Sequence, residues 1–118
     1  MARIEKKLLE EMFEDIRAKT KWPIDGDMLW GYFFTDTDRA KLSAAAAELS
    51  QRGYRMVDIH EPTAEDDDQE LLWLHVERVE THSPETLHRR NDELYRFADK
   101  MGLRSYDGMD VGPVGAVL

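Results

Sequence analysis

Helical and strand periodicities alternate along this chain, and their order predicts an α+β domain: a leading helix, then strand, helix, strand, strand, helix, strand. Three observations carry that prediction. Apolar residues recur at helical spacing in three segments, four short runs rich in aromatic or aliphatic residues lie between and after them, and Gly, Pro and Asp mark the joints. At 118 residues one core is the natural organisation, because two independent cores in a chain of this size would each be marginal. The division read from these signals is an N-terminal amphipathic helix over residues 1–21 and a single α+β domain over 22–118.

In chain order, Ile4, Leu8, Leu9, Met12, Phe13 and Ile16 form the apolar stripe of the first helix, with Glu and Lys on its other face. It should end before Trp22-Pro23, since proline disfavours helical geometry in the residue before it, and Asp25-Gly26 supplies a turn. Met28 to Thr35, MLWGYFFT, reads as a strand. Thr35-Asp36-Thr37-Asp38 offers capping side chains to a second helix, whose Leu42, Ala45, Ala46 and Leu49 share a face and which Gly53 closes. The run Ala44 to Ala47 implies close approach of that helix to a sheet. Tyr54 to His60 is the second strand, and Leu71 to Glu80, beyond an acidic link, is the third and longest, joined to it as a hairpin. Ser83-Pro84-Glu85 then starts a helix striped by Leu87, Leu94, Ala98 and Met101, with Phe97 beside them and Gly102 at its end. A last short strand is expected over Leu103 to Tyr106, with Asp107-Gly108 as turn material.

After the leading helix this order is βαββαβ, the ferredoxin-like arrangement of a four-stranded antiparallel sheet with two helices on one face. Side chains alternate along a strand, so Trp30, Tyr32 and Phe34 share one side, and Leu29, Gly31 and Phe33 the other. In the third strand, Leu72, Leu74 and Val76 look like the helix-facing set. Trp73 and His75 then lie on the opposite face, to be covered by the leading helix, a second subunit or a partner protein.

Charge narrows the partners. Twenty-five acidic against sixteen basic residues leave a net charge of -9, which opposes direct binding to nucleic acid and favours basic protein surfaces. There are no cysteines, which excludes disulfides, thiolate metal sites and cysteine nucleophiles. No apolar run approaches a membrane span, and the charged start does not read as a secretory signal, so a soluble cytoplasmic protein is expected.

The chemistry-bearing residues are sparse. Of the four histidines, His75 shares a strand face with Glu77, but two ligands do not make a metal site, and His82 and His88 read as solvated polar residues. No G-x-S-x-G elbow is present, and Gly108, Gly112 and Gly115 do not follow a strand and open a helix, so neither a nucleotide loop nor a cofactor nor a set of catalytic residues is expected. The acidic link holds Glu61, Glu65, Asp66, Asp67, Asp68 and Glu70. It reads as a solvated hairpin loop, or as a docking loop in which Asp66, Asp67 and Asp68 meet an Arg-rich partner beside Trp73 and His75.

The stretch LWGYFFTDTDRAKLSAAAAELSQRGYRMVDI, the acidic gap, LLWLHVERVETHSPETLHRRNDEL and the closing GLRSYDGMDVGP together resemble the RraB family of bacterial ribonuclease E regulators, over roughly Gly26 to Val114. The marks are Phe33-Phe34-Thr35, Arg52-Gly53-Tyr54 and Tyr106-Asp107-Gly108, in order and at about the family's spacing. The resemblance implies a compact α+β fold and a non-enzymatic role, binding ribonuclease E and restraining its cleavage of RNA. Two departures accompany it. Met109 stands where the family's motif usually places tryptophan, which should alter the packing there. The best-known members also extend into a long acidic C-terminal tail, whereas this sequence stops at Leu118; if that tail carries part of the inhibition, a different partner is expected.

Two other classes of function remain open to the residues alone. One is a small hydrolase or ligand-binding domain using a cleft near His75, Glu77 and Tyr106, with Asp107 converging on it. The other is a dimerisation module in which Trp30 and Trp73 are buried between subunits of a homodimer.

Overall fold

A computed structural model describes residues 3–61 and 71–114. Its elements are α1 (Lys6–Lys19), β1 (Met28–Asp36), α2 (Arg39–Gln51), β2 (Arg55–His60), β3 (Leu72–Glu80), α3 (Pro84–Lys100) and β4 (Ser105–Gly112). The helix ends follow local chemistry. Asp38 caps α2 by accepting from the backbone N–H of Ala40 at 2.9 Å. Ser83 and Thr86 form a reciprocal capping box at the start of α3, with Pro84 in its first turn. No described helix is long and apolar enough to cross a membrane.

The strands pair antiparallel in the order β2-β3-β1-β4, which puts β1 and β3 in the centre and β2 and β4 at the edges. Opposite Trp30, Tyr32 and Phe34 of β1 stand Arg78, Val76 and Leu74 of β3, so these six share one face. Trp30, Tyr32, Phe34, Leu74 and Val76 are fully buried there. Ala45 and Ala46 of α2 are buried against the same layer, as the alanine run requires of a closely packed helix. From α3, Phe97 meets the Phe34 ring edge-on at 5.8 Å, and Tyr95 meets Tyr106 at 5.0 Å.

Helix α1 does not cover the opposite face of the sheet. It lies along α3, buries Leu9 and Phe13, and stacks Phe13 on Trp30 at 6.0 Å. Trp30 therefore belongs to the core of this one chain rather than sharing an outer face with Trp73, which corrects the placement the dimerisation reading needed. The reason is area: Leu9 and Phe13 are fully buried in this position together with Trp30, while Leu8, off that stripe, is left 55% exposed.

The end of the chain also departs from expectation. Asp107-Gly108 is not a turn, because β4 runs on to Gly112 and pairs along almost all of β1. The register shifts between Phe33 and Phe34, which face Gly108 and Tyr106, so Asp107 is the extra residue of a β-bulge. Aspartate and glycine serve either structure, and the tertiary pairing selects the bulge. The strand ends before Pro113, which has no N–H to continue a ladder.

Candidate functional site

Among the described residues, α1 packs on α3, and α2 and α3 pack on one side of the sheet, which leaves the other sheet face without a helix over it. Its register places Trp73, His75, Glu77 and Val79 of β3 beside Thr35, Phe33, Gly31 and Leu29 of β1. Phe33 and His75 are direct partners, and their rings stack at 4.4 Å with planes 19° apart. Burial holds the His75 pKa below its ordinary value against the opposing pull of Asp110, so at neutral pH the ring is uncharged and packs as an aromatic. Gly31 is required at the floor between them. A Cβ there would lie 2.8 Å from His75 Nε2 and inside the contact radius of the Asp110 carboxylate. Without it, His75, Glu77 and Asp110 rim a shallow depression of about 190 Å³. Glu77 is ion-paired to Arg55 across the β2–β3 ladder.

Trp73 is half-buried and contributes to a wider groove of about 430 Å³, lined also by Thr35, Leu71, Ser105, Tyr106 and Asp107 at the β4 side. Its partner on β2 is His60, the last residue of that strand. The acidic link joins these two strands, so its ends are anchored beside Trp73. Asp66, Asp67 and Asp68 themselves lie outside the described residues.

The family triplets divide between the two faces. Phe33 belongs to the open face and Phe34 to the core. Tyr106 is buried on the helix side, where its hydroxyl donates to Asn91 Oδ1 at 2.6 Å and burial drives its pKa well above the ordinary tyrosine value. Met109 pairs with Tyr32 and is half-buried, and its thioether takes a weak bond from Asn91 Nδ2 at 3.7 Å, so a flexible side chain fills this stretch. Asp107 is exposed in the bulge, and partial desolvation of its carboxyl against the neighbouring chain raises its pKa. The cleft that would have served hydrolysis therefore does not assemble: His75 and Glu77 share a depression, but the Tyr106 hydroxyl is committed to Asn91 and the second carboxylate at the depression is Asp110, not Asp107. Among the described residues, no group of three His, Asp or Glu side chains is placed to hold a metal ion.

Sequence reading missed a buried polar network under α3, and it misplaced His82. That histidine is 6% exposed and not solvated. Its Nε2 lies 3.1 Å from Glu80 Oε2 and 3.2 Å from the Tyr32 hydroxyl, and its ring meets Trp30 edge-on. Tyr32 donates to Glu80 at 2.6 Å, and Arg90 Nη1 donates both to Glu80 at 3.0 Å and to the Tyr54 hydroxyl at 2.6 Å. The Tyr54 ring lies between the guanidinium groups of Arg78 and Arg90, at 5.4 and 5.6 Å. Gly53 precedes it at a φ of +96°, a conformation that only glycine adopts readily, so the Arg52-Gly53-Tyr54 triplet makes a turn and an anchoring tyrosine. The signal was present in the alternation: Arg78 and Glu80 continue the helix-facing series of Leu74 and Val76, which puts charges where partners are obligatory. Every buried side-chain polar atom among the described residues has such a partner.

A protein-family model described as Regulator of ribonuclease activity B matches residues 7–111, taking in nearly all of the chain from α1 through β4. No curated protein matches the chain.

Proposed function

Since the chain belongs to the RraB family of regulators of ribonuclease activity, we propose that it has no catalysis of its own and acts by binding a ribonuclease of the ribonuclease E kind and restraining its cleavage of RNA. The observation that carries this reading is the uncovered sheet face. Phe33, Trp73 and His75 offer half-buried aromatic surface there. Asp110 rims it, Glu77 is held in its ion pair with Arg55, and the link bearing Asp66, Asp67 and Asp68 joins β2 to β3 at its Trp73 end. Aromatic anchors inside a charged rim are the composition of a protein-docking surface, in which the rim sets encounter and the aromatics set lifetime. A basic segment of a nuclease that must hold polyanions is the complement, and direct contact with RNA is disfavoured by the net charge of -9. A cytoplasmic setting follows from that partner. We read the βαββαβ order after α1 as ferredoxin-like, with residues 22–118 as the domain proper and residues 1–21 as an added helix that shares its core.

Pull-down with purified ribonuclease E across a salt series tests the proposal. Retention should weaken as NaCl rises, and Asp66, Asp67 and Asp68 all changed to Asn should lower retention at low salt by about tenfold, three charges at roughly 0.5 kcal/mol each. Trp73→Ala should weaken binding at every salt concentration. Salt-insensitive binding, or equal binding by the triple Asn variant, removes the acidic link from the interface. Failure of the unaltered protein to bind, or cleavage of RNA at an unchanged rate in its presence, overturns the proposed activity.

A further inference from the structure

Three arginines from three elements converge on one cavity on the helix side of the sheet. Arg52 follows α2, Arg78 lies on β3 and Arg90 on α3, and with Tyr54, Glu93 and Phe97 they line a space of about 110 Å³. Such a cluster runs against the composition of a chain with nine excess negative charges. Glu80 accounts for only part of it. Its carboxylate faces Arg90 at 3.0 Å and Arg78 at 3.5 Å, and it is also met by Tyr32 and His82. Two guanidinium groups share that one largely buried carboxylate, and the further partners, Glu93 for Arg90 at 3.8 Å and Glu48 for Arg52 at 3.9 Å, are exposed to water, which weakens their hold.

Arg52 is held by an aromatic ring and by an exposed ion pair one helical turn away. Its guanidinium rests 5.1 Å over the Phe97 ring, and its nearest carboxylate, Glu48, stands 3.9 Å away. Arg78 donates to the Arg52 carbonyl at 3.1 Å and lies flat against Gly53, within 3.5 Å of where a Cβ would be, so the turn brings the two arginines side by side. Glu93 is the carboxylate on the cavity wall among the described residues; it sits 3.8 Å from Arg90 Nε with its side chain 70% exposed, where water screens it. Outside, the cavity adjoins a groove that shares Arg52, Glu93 and Phe97 and adds Arg96 and Lys100, so cations outnumber the one carboxylate along it.

We propose that this cavity is a binding site for a phosphate-type oxyanion. A planar carboxylate is satisfied by the fork of one guanidinium, whereas three arginines supplied by three elements around one small space suit a tetrahedral, multiply charged anion. The space is well below the roughly 300 Å³ at which small-molecule pockets begin, so it takes a single oxyanion and no nucleotide. Arg96 and Lys100 along the approach raise the local concentration of anions. The bound ion ties the end of α2, β3 and α3 together. This site is separate from the sheet face, and it stands or falls independently of the ribonuclease proposal.

Titration of the whole protein with inorganic phosphate, at ionic strength held constant with NaCl, is the test. The expected result is saturable binding by calorimetry below about 10 mM, with amide resonances of Gly53, Tyr54 and Arg78 moving together and the thermal midpoint rising with phosphate concentration. Arg52→Gln should weaken phosphate binding by about tenfold or more through loss of one charged partner, worth roughly 1.5 kcal/mol, while melting in NaCl alone falls only slightly, because the Arg52 side chain is 47% exposed and its pair with Glu48 lies at the surface. Arg90 is left intact in this test, since its loss would strand Glu80 and could unfold the chain. Binding that does not saturate, shifts reproduced by NaCl alone, equal affinity in Arg52→Gln, or acetate binding as tightly as phosphate would each overturn the assignment.

Discussion

Glu80 ties together residues that lie far apart in sequence. It accepts from Tyr32, forty-eight positions earlier, and from Arg90, ten positions later, while Trp30 Nε1 donates to its backbone carbonyl at 3.2 Å. Its side chain is only 11% exposed. Glu80→Ala would leave Arg90 inadequately paired and the Tyr32 hydroxyl and His82 short of an acceptor. The expected loss of stability is about 3–5 kcal/mol, the usual cost of removing one partner of a buried ion pair, read as a lower midpoint in urea unfolding. Glu80→Gln, which keeps an acceptor oxygen, should lose less. The open face is unlike this at the residue scale. Phe33 and His75 are held by stacking on each other, and they and Trp73 stay half-buried, which suits groups that must be free to meet another protein.

Among the elements, α1 is the one whose role depended most on the fold. Its amphipathic stripe was legible from Leu9, Met12, Phe13 and Ile16, but periodicity names a face and not the surface that receives it. The receiving surface is Trp30, buried on the helix side. Phe13→Ala should therefore cost about 3–5 kcal/mol, as truncation of a fully buried phenylalanine does. Because Trp30 loses its stacked cover, its fluorescence should also shift to the red. An unshifted spectrum would place α1 elsewhere. β4 carries the complementary lesson. Asp107-Gly108 is the local signal of both a hairpin turn and a bulge, and only pairing with β1 distinguishes them. The helix caps at Asp38 and Ser83 were readable because capping acts within four residues.

For the whole molecule, titration of the buried network sets the limits of stability. Burial works against ionisation of Glu80, but hydrogen bonds from His82 and Tyr32 and the charge of Arg90 outweigh it and hold the carboxyl below its ordinary value of 4.5. A carboxyl depressed in the folded state contributes stability that is present above its unfolded value and lost as pH falls through the lower, folded one. Unfolding free energy should thus decline as pH drops below 4.5, and Glu80→Gln should flatten that acid limb. At the other end, burial raises Tyr32 and Tyr106 above 10, so the unfolded chain ionises first and stability falls as pH passes that value. Denaturant titrations over pH 3–11 in both proteins check the two limbs; an acid limb of equal slope in Glu80→Gln would show that other carboxylates control it.

The amino-acid sequence by itself determined the α+β class, the order of the elements, the acidic balance and the family, because periodicity, capping, charge and motif order are properties of neighbouring residues or of the chain as a whole. It also separated Leu74 and Val76 from Trp73 and His75, since alternation along a strand is local. Only the tertiary structure decided that α1 seats on Trp30, that His82 is buried against Glu80, that Asp107 bulges within β4, and that Arg52, Arg78 and Arg90 meet around Tyr54. Each of those facts depends on which distant segments pack together, and that choice is made by the competition for apolar area and hydrogen-bond partners across the whole core, which no window of sequence contains.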